Sequence, residues 1–239
     1  MKKNPTRRLF AVFVILAVCA ALTGGAIAFG QDSKSQNVFS ASPVLPKDLK
    51  RVVVLPLTGE KSRADLSSGC EMLEPILLAE LVKTKKFEVV PAGSEMLRNL
   101  TGKDAWTGAE VLPANFFDSL RRAYGCDAVL FCEMTGFRAY APLAVCWRMK
   151  LVDASTEKII WAADMVFDAN DPVVVKSAEQ FEKQRQNVHG EIRSLLKNLA
   201  RIADRQPRSA LDDQWIILNS PRFFGQYSAI KLLQTLPER

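Results

Sequence analysis

An uncharged run from Leu9 to Gly30 opens the chain behind Lys2, Lys3, Arg7 and Arg8, and a polar stretch rich in Ser, Gln, Asn and Pro follows it. Alternation of apolar and polar positions begins only near Leu49. Arg51-Val52-Val53-Val54-Leu55-Pro56-Leu57 is β-branched, short and closed by proline, which predicts a strand buried on both faces. From Asp65, a candidate N-cap, Leu66, Leu73, Leu77, Leu78, Leu81 and Val82 recur at threes and fours, predicting a helix that Pro75 either kinks or starts. Phe87 to Pro91 reads as a second short strand, Ser94 to Leu100 as a short helix and Gly102 to Gly108 as a loop. Asn115 to Tyr124 reads as a helix stopped by Gly125.

Three consecutive strands are predicted next. Asp127 to Thr135 is apolar except for Glu133, as expected of a central strand. Leu143 to Val152 puts Leu143, Val145, Trp147, Met149 and Leu151 on one side and Arg148 and Lys150 on the other. After the turn at Asp153 to Thr156, Lys158 to Phe167 aligns Ile159, Trp161, Ala163, Met165 and Phe167. Val174 to Arg205 carries Ala178, Phe181, Val188, Ile192, Leu195, Leu199 and Ile202 in a near-heptad stripe, one long amphipathic helix whose stripe needs the sheet, a partner or a second copy to cover it. The tail holds Trp215, Ile216, Ile217, Leu218, Phe223, Phe224 and Tyr227 and is expected to be packed or bound. The resulting fold class is α/β (an α+β sandwich), with a mixed sheet of about five strands flanked by helices plus the long C-terminal helix. The expected organisation is an export signal or anchor over 1–30, a flexible tether over 31–48, the α/β domain over 49–168, and the long helix with its apolar tail over 169–239.

The basic start, apolar run and small residues mark the leader as an export signal, with the body on the periplasmic side of the envelope. Three fates are open to it. Ala26-Ile27-Ala28 offers cleavage near Ala28, the run is long enough to stay in a bilayer of about 30 Å as an anchor, and Leu16-Ala17-Val18-Cys19 resembles a lipobox that would lipidate Cys19. Thr6-Arg7-Arg8-Leu9-Phe10 also resembles the twin-arginine export motif. The chain carries 32 Lys and Arg against 26 Asp and Glu. Removing the four basic leader residues leaves a nearly neutral body, so an electrostatically bound nucleic acid is not expected. Cys70, Cys126, Cys132 and Cys146 allow two disulfides in an oxidising compartment, with Cys132 and Cys146 the first pair to test; small buried hydrophobes are the alternative.

The order of elements, with Arg51-Val52-Val53-Val54-Leu55-Pro56, Phe87-Glu88-Val89-Val90-Pro91, Tyr124-Gly125-Cys126-Asp127-Ala128-Val129-Leu130 and Leu151-Val152-Asp153-Ala154-Ser155-Thr156 at the junctions, resembles one envelope superfamily. It contains the N-terminal domain of the Tol translocation protein, the curli secretion channel and the lipoprotein activators of penicillin-binding proteins. The resemblance covers about residues 49–168 and implies a compact domain that works by protein contact rather than catalysis. Glu157 stands where the superfamily usually has a turn glycine, and the chain has no spare pair of amphipathic strands for a membrane barrel.

Chemistry leaves few marks. His189, the one histidine, falls within the long helix, and nucleophile-elbow, zinc-protease and phosphate-loop patterns are absent. No catalytic residue, cofactor or metal ligand is assigned. Glu133 and Asp164 could form an acid/base pair, but pairing with Arg148 accounts for them more simply. The basic side of the long helix, Arg185, Arg193, Lys197, Arg201 and Arg205, is balanced by Glu179, Glu182, Glu191 and Asp204 and reads as a solvated face. The connection Gly136-Phe137-Arg138-Ala139-Tyr140-Ala141-Pro142 offers the best candidate partner-binding residues, Phe137, Arg138 and Tyr140, because arginine and aromatic residues anchor interfaces. The expected function is a membrane-tethered, non-catalytic adaptor or assembly factor serving unidentified envelope proteins. The alternatives are an envelope hydrolase using strand carboxylates and a secretion subunit that forms homo-oligomers through the long helix.

Overall fold

The structure, a computed structural model, describes residues 36–60, 62–200 and 216–239, with side chains described except at 36, 187–200 and 216. The leader, Cys19, Trp215, the His189 side chain and the expected basic face beyond Arg185 lie outside the described residues. The strands are β1 (Gln36–Ser40), β2 (Arg51–Val54), β3 (Glu88–Pro91), β4 (Ala128–Arg138), β5 (Ala144–Asp153) and β6 (Ile159–Asp168). The described helices are α1 (Ala64–Lys83), α2 (Ser94–Thr101), α3 (Phe116–Tyr124), α4 (Pro172–Ala200), α5 (Ile216–Asn219) and α6 (Pro221–Leu233).

All six strands join one open mixed sheet in the order β1-β6-β5-β4-β2-β3. β2 runs parallel to both β3 and β4, whereas the longer β4, β5, β6 and β1 are antiparallel neighbours. This is the expected α+β class with one strand more than expected. The extra strand comes from the stretch expected as a tether: β1 pairs with β6, Val44 bridges Glu238, and Leu45 is buried. A five-residue segment with two apolar positions, Val38 and Phe39, gives no period of its own, and only β6 makes it a strand.

The alternation in β5 does what the sequence predicts. Val145, Trp147, Met149 and Leu151 join Leu130, Cys132 and Met134 of β4 and Trp161, Ala163, Met165 and Phe167 of β6 in one core. Leu66, Leu73, Leu77 and Leu81 of α1 and Phe224, Tyr227 and Leu232 of α6 cover that face. Each such aliphatic or aromatic side chain removed from water contributes roughly 1.5–3 kcal/mol before chain entropy is subtracted. Helix α1 runs unbroken through Pro75 from Ala64, with Arg63 rather than Asp65 as its N-cap. Burial of Leu73 and Leu77 on either side of the proline offsets the backbone hydrogen bond it cannot make.

Two departures from strict alternation are bulges. The register shifts between Met134 and Gly136, which returns both Met134 and Phe137 to the first core. Between Leu151 and Val152 it shifts again, so Ile160 is buried and Ile159, expected inside, is exposed. The β5–β6 turn keeps the conformation a glycine would take: Glu157 adopts φ +59°. Asp153 holds the turn by accepting from the Ser155 and Thr156 amides at 2.9 and 2.7 Å.

Cys132 faces Met149 and lies in the first core, while Cys146 faces Gly136 on the other side of the sheet. The pair singled out for a disulfide is therefore on opposite faces and cannot bridge. Cys70, Cys126, Cys132 and Cys146 are all free thiols, and burial pushes the Cys70 thiol up to about 11.

The apolar tail packs within the domain. Tyr227 makes edge contact with Phe167 at 5.8 Å, and Ser228 on α6 accepts a hydrogen bond from the Trp147 indole at 2.8 Å. Lys86 donates to the carbonyls of Leu236 and Pro237 at 2.8 Å, and Arg239 donates to those of Leu49 and Lys86.

Candidate functional site

Among the described residues, the second face of the sheet is covered over only part of its width. Leu97 of α2, Phe116, Phe117 and Leu120 of α3, and Trp106 from the loop between them pack on Val53, Val129, Phe131 and Val152. Phe131 stacks on Phe116 at 5.9 Å, which closes this smaller core. No residue of β6 or β1 belongs to it.

Beyond Phe131 the same face turns polar. Glu133 of β4, Arg148 of β5 and Asp164 of β6 stand side by side because Glu133 pairs with Arg148 and Arg148 with Asp164 in the strand register. Arg148 donates from Nε to Asp164 at 2.9 Å, and its Nη1 lies 3.7 Å from Glu133 Oε2. The bond to Asp164 and the charges of Asp164 and Glu133 outweigh partial burial and hold the guanidinium above its ordinary value. The two carboxylates considered as an acid/base pair thus flank one arginine, Asp164 partly exposed and Glu133 mostly buried. Phe39 and Val166, both exposed, border this row.

The β4–β5 connection closes the same end of the sheet. Phe137 is buried against α1, so close that a Cβ on Gly69 would come within 2.7 Å of its ring. It is a core residue, not a surface anchor, because the bulge before it rotates it inward. Arg138 is held in place: Nη2 donates to Asp168 at 2.7 Å and Nε to the Pro142 carbonyl. Tyr140 is 84 % exposed at the tip. Of the three residues singled out in the sequence, the structure therefore leaves Arg138 and Tyr140 at the surface. Asp168, which fixes Arg138, escaped sequence reasoning because it lies 30 residues away and meets Arg138 only through the shared strand β5.

Arg185, expected on a solvated face, bonds Glu182 at 2.7 Å and lies over the Phe223 ring at 4.6 Å. Among the described residues, no group of three or more His, Cys, Asp or Glu is placed to hold a metal ion, and no helix is long and apolar enough to cross a membrane.

No family model matches the chain, and no curated protein matches it in sequence. Among solved structures it is similar to the PelC dodecamer from Paraburkholderia phytofirmans, at 14% identity and a TM-score of 0.45, over 86% of this chain and 98% of that one. It is also similar to the lipoprotein GNA1162 from Neisseria meningitidis, at 17% identity and a TM-score of 0.36, over 58% of this chain and 99% of that one. The C-terminal domain of LpoB from Escherichia coli matches at 17% identity and a TM-score of 0.33, over 49% of this chain and 82% of that one. At these scores the neighbours assign neither family nor function to the chain.

Proposed function

We propose that this protein is an exported, membrane-tethered, non-catalytic adaptor or assembly factor of a bacterial envelope complex. The leader places the body on the periplasmic side of the envelope. It stays there as an anchor, and the folded domain presents a docking surface to envelope proteins.

The observation that carries this reading is the half of the second sheet face that no described helix covers. Arg148 bonds the half-exposed Asp164 and lies 3.7 Å from the mostly buried Glu133, with the exposed Phe39 and Val166 beside them and Tyr140 exposed at the tip of the β4–β5 connection. A row of paired charges among exposed apolar groups suits reversible protein contact, in which complementary charge sets register and aromatic groups supply anchoring. A hydrolase using Glu133 and Asp164 needs the two groups around a substrate with unequal proton affinities. Here Arg148 stands between the two carboxylates, 2.9 Å from Asp164 and 3.7 Å from Glu133, in the space a substrate would have to occupy.

The test is photo-crosslinking in the native envelope from positions 39, 140 and 166, followed by mass spectrometry of the adducts and of the protein's own N-terminus. A reproducible set of protein partners captured at these positions, with the leader attached, is the expected result. A soluble species starting near Phe29 that captures no partner at any of the three would overturn the proposal.

A further inference from the structure

We infer that β1 is the edge through which two copies of this chain pair, their β1 strands running antiparallel about a two-fold axis at Val38 and joining the two sheets into one. The pairing uses the backbone edge of the sheet and does not depend on the proposed docking face.

The two edges of the sheet are built differently. The unpaired N–H and C=O groups of an edge strand template pairing with another chain, and charge or proline blunts them. At β3 the Glu88 amide donates to the Lys50 carbonyl and the Ala92 amide to that of Val54, so residues 88, 90 and 92 turn their backbone groups toward β2. Val89 and Pro91 are then the outward positions, and Pro91 has no N–H to give. Lys85, Lys86 and Glu88 add charge along that edge.

Strand β1 has none of these devices. Gln36-Asn37-Val38-Phe39-Ser40 carries neither charge nor proline, and among the described residues β6 is its one neighbour. The Ala41 amide donates to the Ile160 carbonyl at 3.0 Å, in register with the pairs Phe39–Ala162 and Asn37–Asp164. In an antiparallel ladder every second residue turns both backbone groups to its neighbour. Residues 37, 39 and 41 therefore face β6, and Gln36, Val38 and Ser40 turn their N–H and C=O groups outward.

A second copy fits this edge. Around the two-fold axis, Val38 exchanges its backbone hydrogen bonds with Val38 of the second copy, and Gln36 pairs with Ser40 in both directions. No charges oppose each other across the seam, and polar ends flank a central apolar residue, so the strand is its own complement. On the first sheet face Val38, 41 % exposed, meets its counterpart. On the second, Phe39, 51 % exposed, lies across from Asn37 and diagonal to the other Phe39. The Phe39 ring stays on the face that carries Asp164, so pairing extends the docking face across the seam instead of using it up. Two five-residue strands bury less than the roughly 1,200–2,000 Å² of a stable interface, so the pairing is reversible and is read by trapping.

The experiment adds one thiol to the full chain. Across such a pair the two Cα atoms of residue 38 stand about 5.5 Å apart, inside the range of about 4.4–6.8 Å that a disulfide spans. Val38→Cys and a control, Val44→Cys, at a comparably exposed position beyond β1, are oxidised in the native envelope with copper phenanthroline, and the parent with its own thiols sets the background. The expected result is a disulfide-linked dimer of this chain from Val38→Cys, about tenfold more than from Val44→Cys. Adding Ser40→Pro, which removes an outward N–H and leaves the bonds to β6, should abolish that dimer with the urea midpoint unchanged. If the midpoint falls, the ratio of Val38→Cys to Val44→Cys decides alone. No more dimer from Val38→Cys than from Val44→Cys overturns the pairing. So does a disulfide from position 38 to a different protein, which gives the edge to a foreign strand, and so does a dimer that survives Ser40→Pro in a folded chain.

Discussion

The two faces of the sheet are built from the same three long strands yet differ in what they cover. On one face, Trp147, Met149, Trp161 and Met165 lie under α1 and α6. On the other, the same strands show Arg148, Asp164 and Val166, all at least partly exposed, with no helix over them among the described residues. A strand presents its residues alternately to the two sides, so one sequence can serve a core and a surface at once. Stability is concentrated on the first face, which leaves residues on the second free to be set by contact with other molecules.

The sharpest way to break this comparison is within β6. Trp161→Ala should cost about 3–5 kcal/mol, because a fully buried indole leaves a cavity that α1 and the neighbouring strands cannot fill. Val166→Ala, on the open side, should stay within about 0.5 kcal/mol. Urea denaturation of both variants measures the difference, and equal losses would mean that the second face is covered after all.

A smaller effect tests the helix layer alone. A Cβ at Gly225 would stand 2.4 Å from Leu73, which is itself fully buried and cannot withdraw. Gly225→Ala should therefore destabilise by about 1–3 kcal/mol through overpacking between α1 and α6, read as a lower urea midpoint with an unchanged slope.

On the open face the stakes fall further. Arg148→Met should cost about 1 kcal/mol or less, since the pair with Asp164 is partly solvated. Adding Glu133→Gln should restore part of that loss by removing the carboxylate left facing Asp164 without the arginine, and a double-mutant cycle measures the coupling. Strict additivity would show that Arg148 does not hold the row together.

The smallest effect is the pH response of the β5–β6 turn. Burial alone would raise the Asp153 carboxyl, but hydrogen bonds from Ser155 and Thr156 outweigh it and hold the group below its ordinary 3.8. A folded-state value below the unfolded one means stability that is present above the unfolded value and lost as pH falls through the folded one. Asp153→Asn should thus be less stable than the parent at pH 6, with the gap closing below about pH 4. Thermal melts between pH 2 and 6 check this, and a gap that persists at pH 2 would remove the ionised carboxylate from the account.

Much of the fold was legible because it rests on local periodicity. The face shared by Val145, Trp147, Met149 and Leu151, the stop of α3 at Gly125 and the helix containing Leu73 and Leu77 all follow from spacing alone. The candidate site was legible only in part. Arg138 and Tyr140 could be picked out as residue types at a strand connection, but Phe137 was placed at the surface because a bulge leaves no reliable mark on the apolar pattern. Likewise, Cys132 and Cys146 looked like partners on neighbouring strands until the register put them on opposite faces.

By itself the sequence determined five of the six strands, the first four helices and, away from the two bulges, which strand residues are buried, because those depend on neighbours within a turn or a strand. It also set the apolar leader and the nearly neutral body. Tertiary structure alone decided that residues 36–40 pair with β6, that Arg148 stands between Glu133 and Asp164, and that the described helices cover one face of the sheet only in part. Each of these depends on which distant strands become neighbours and in what register, and pairing energy between segments far apart in the chain is not written in either segment alone.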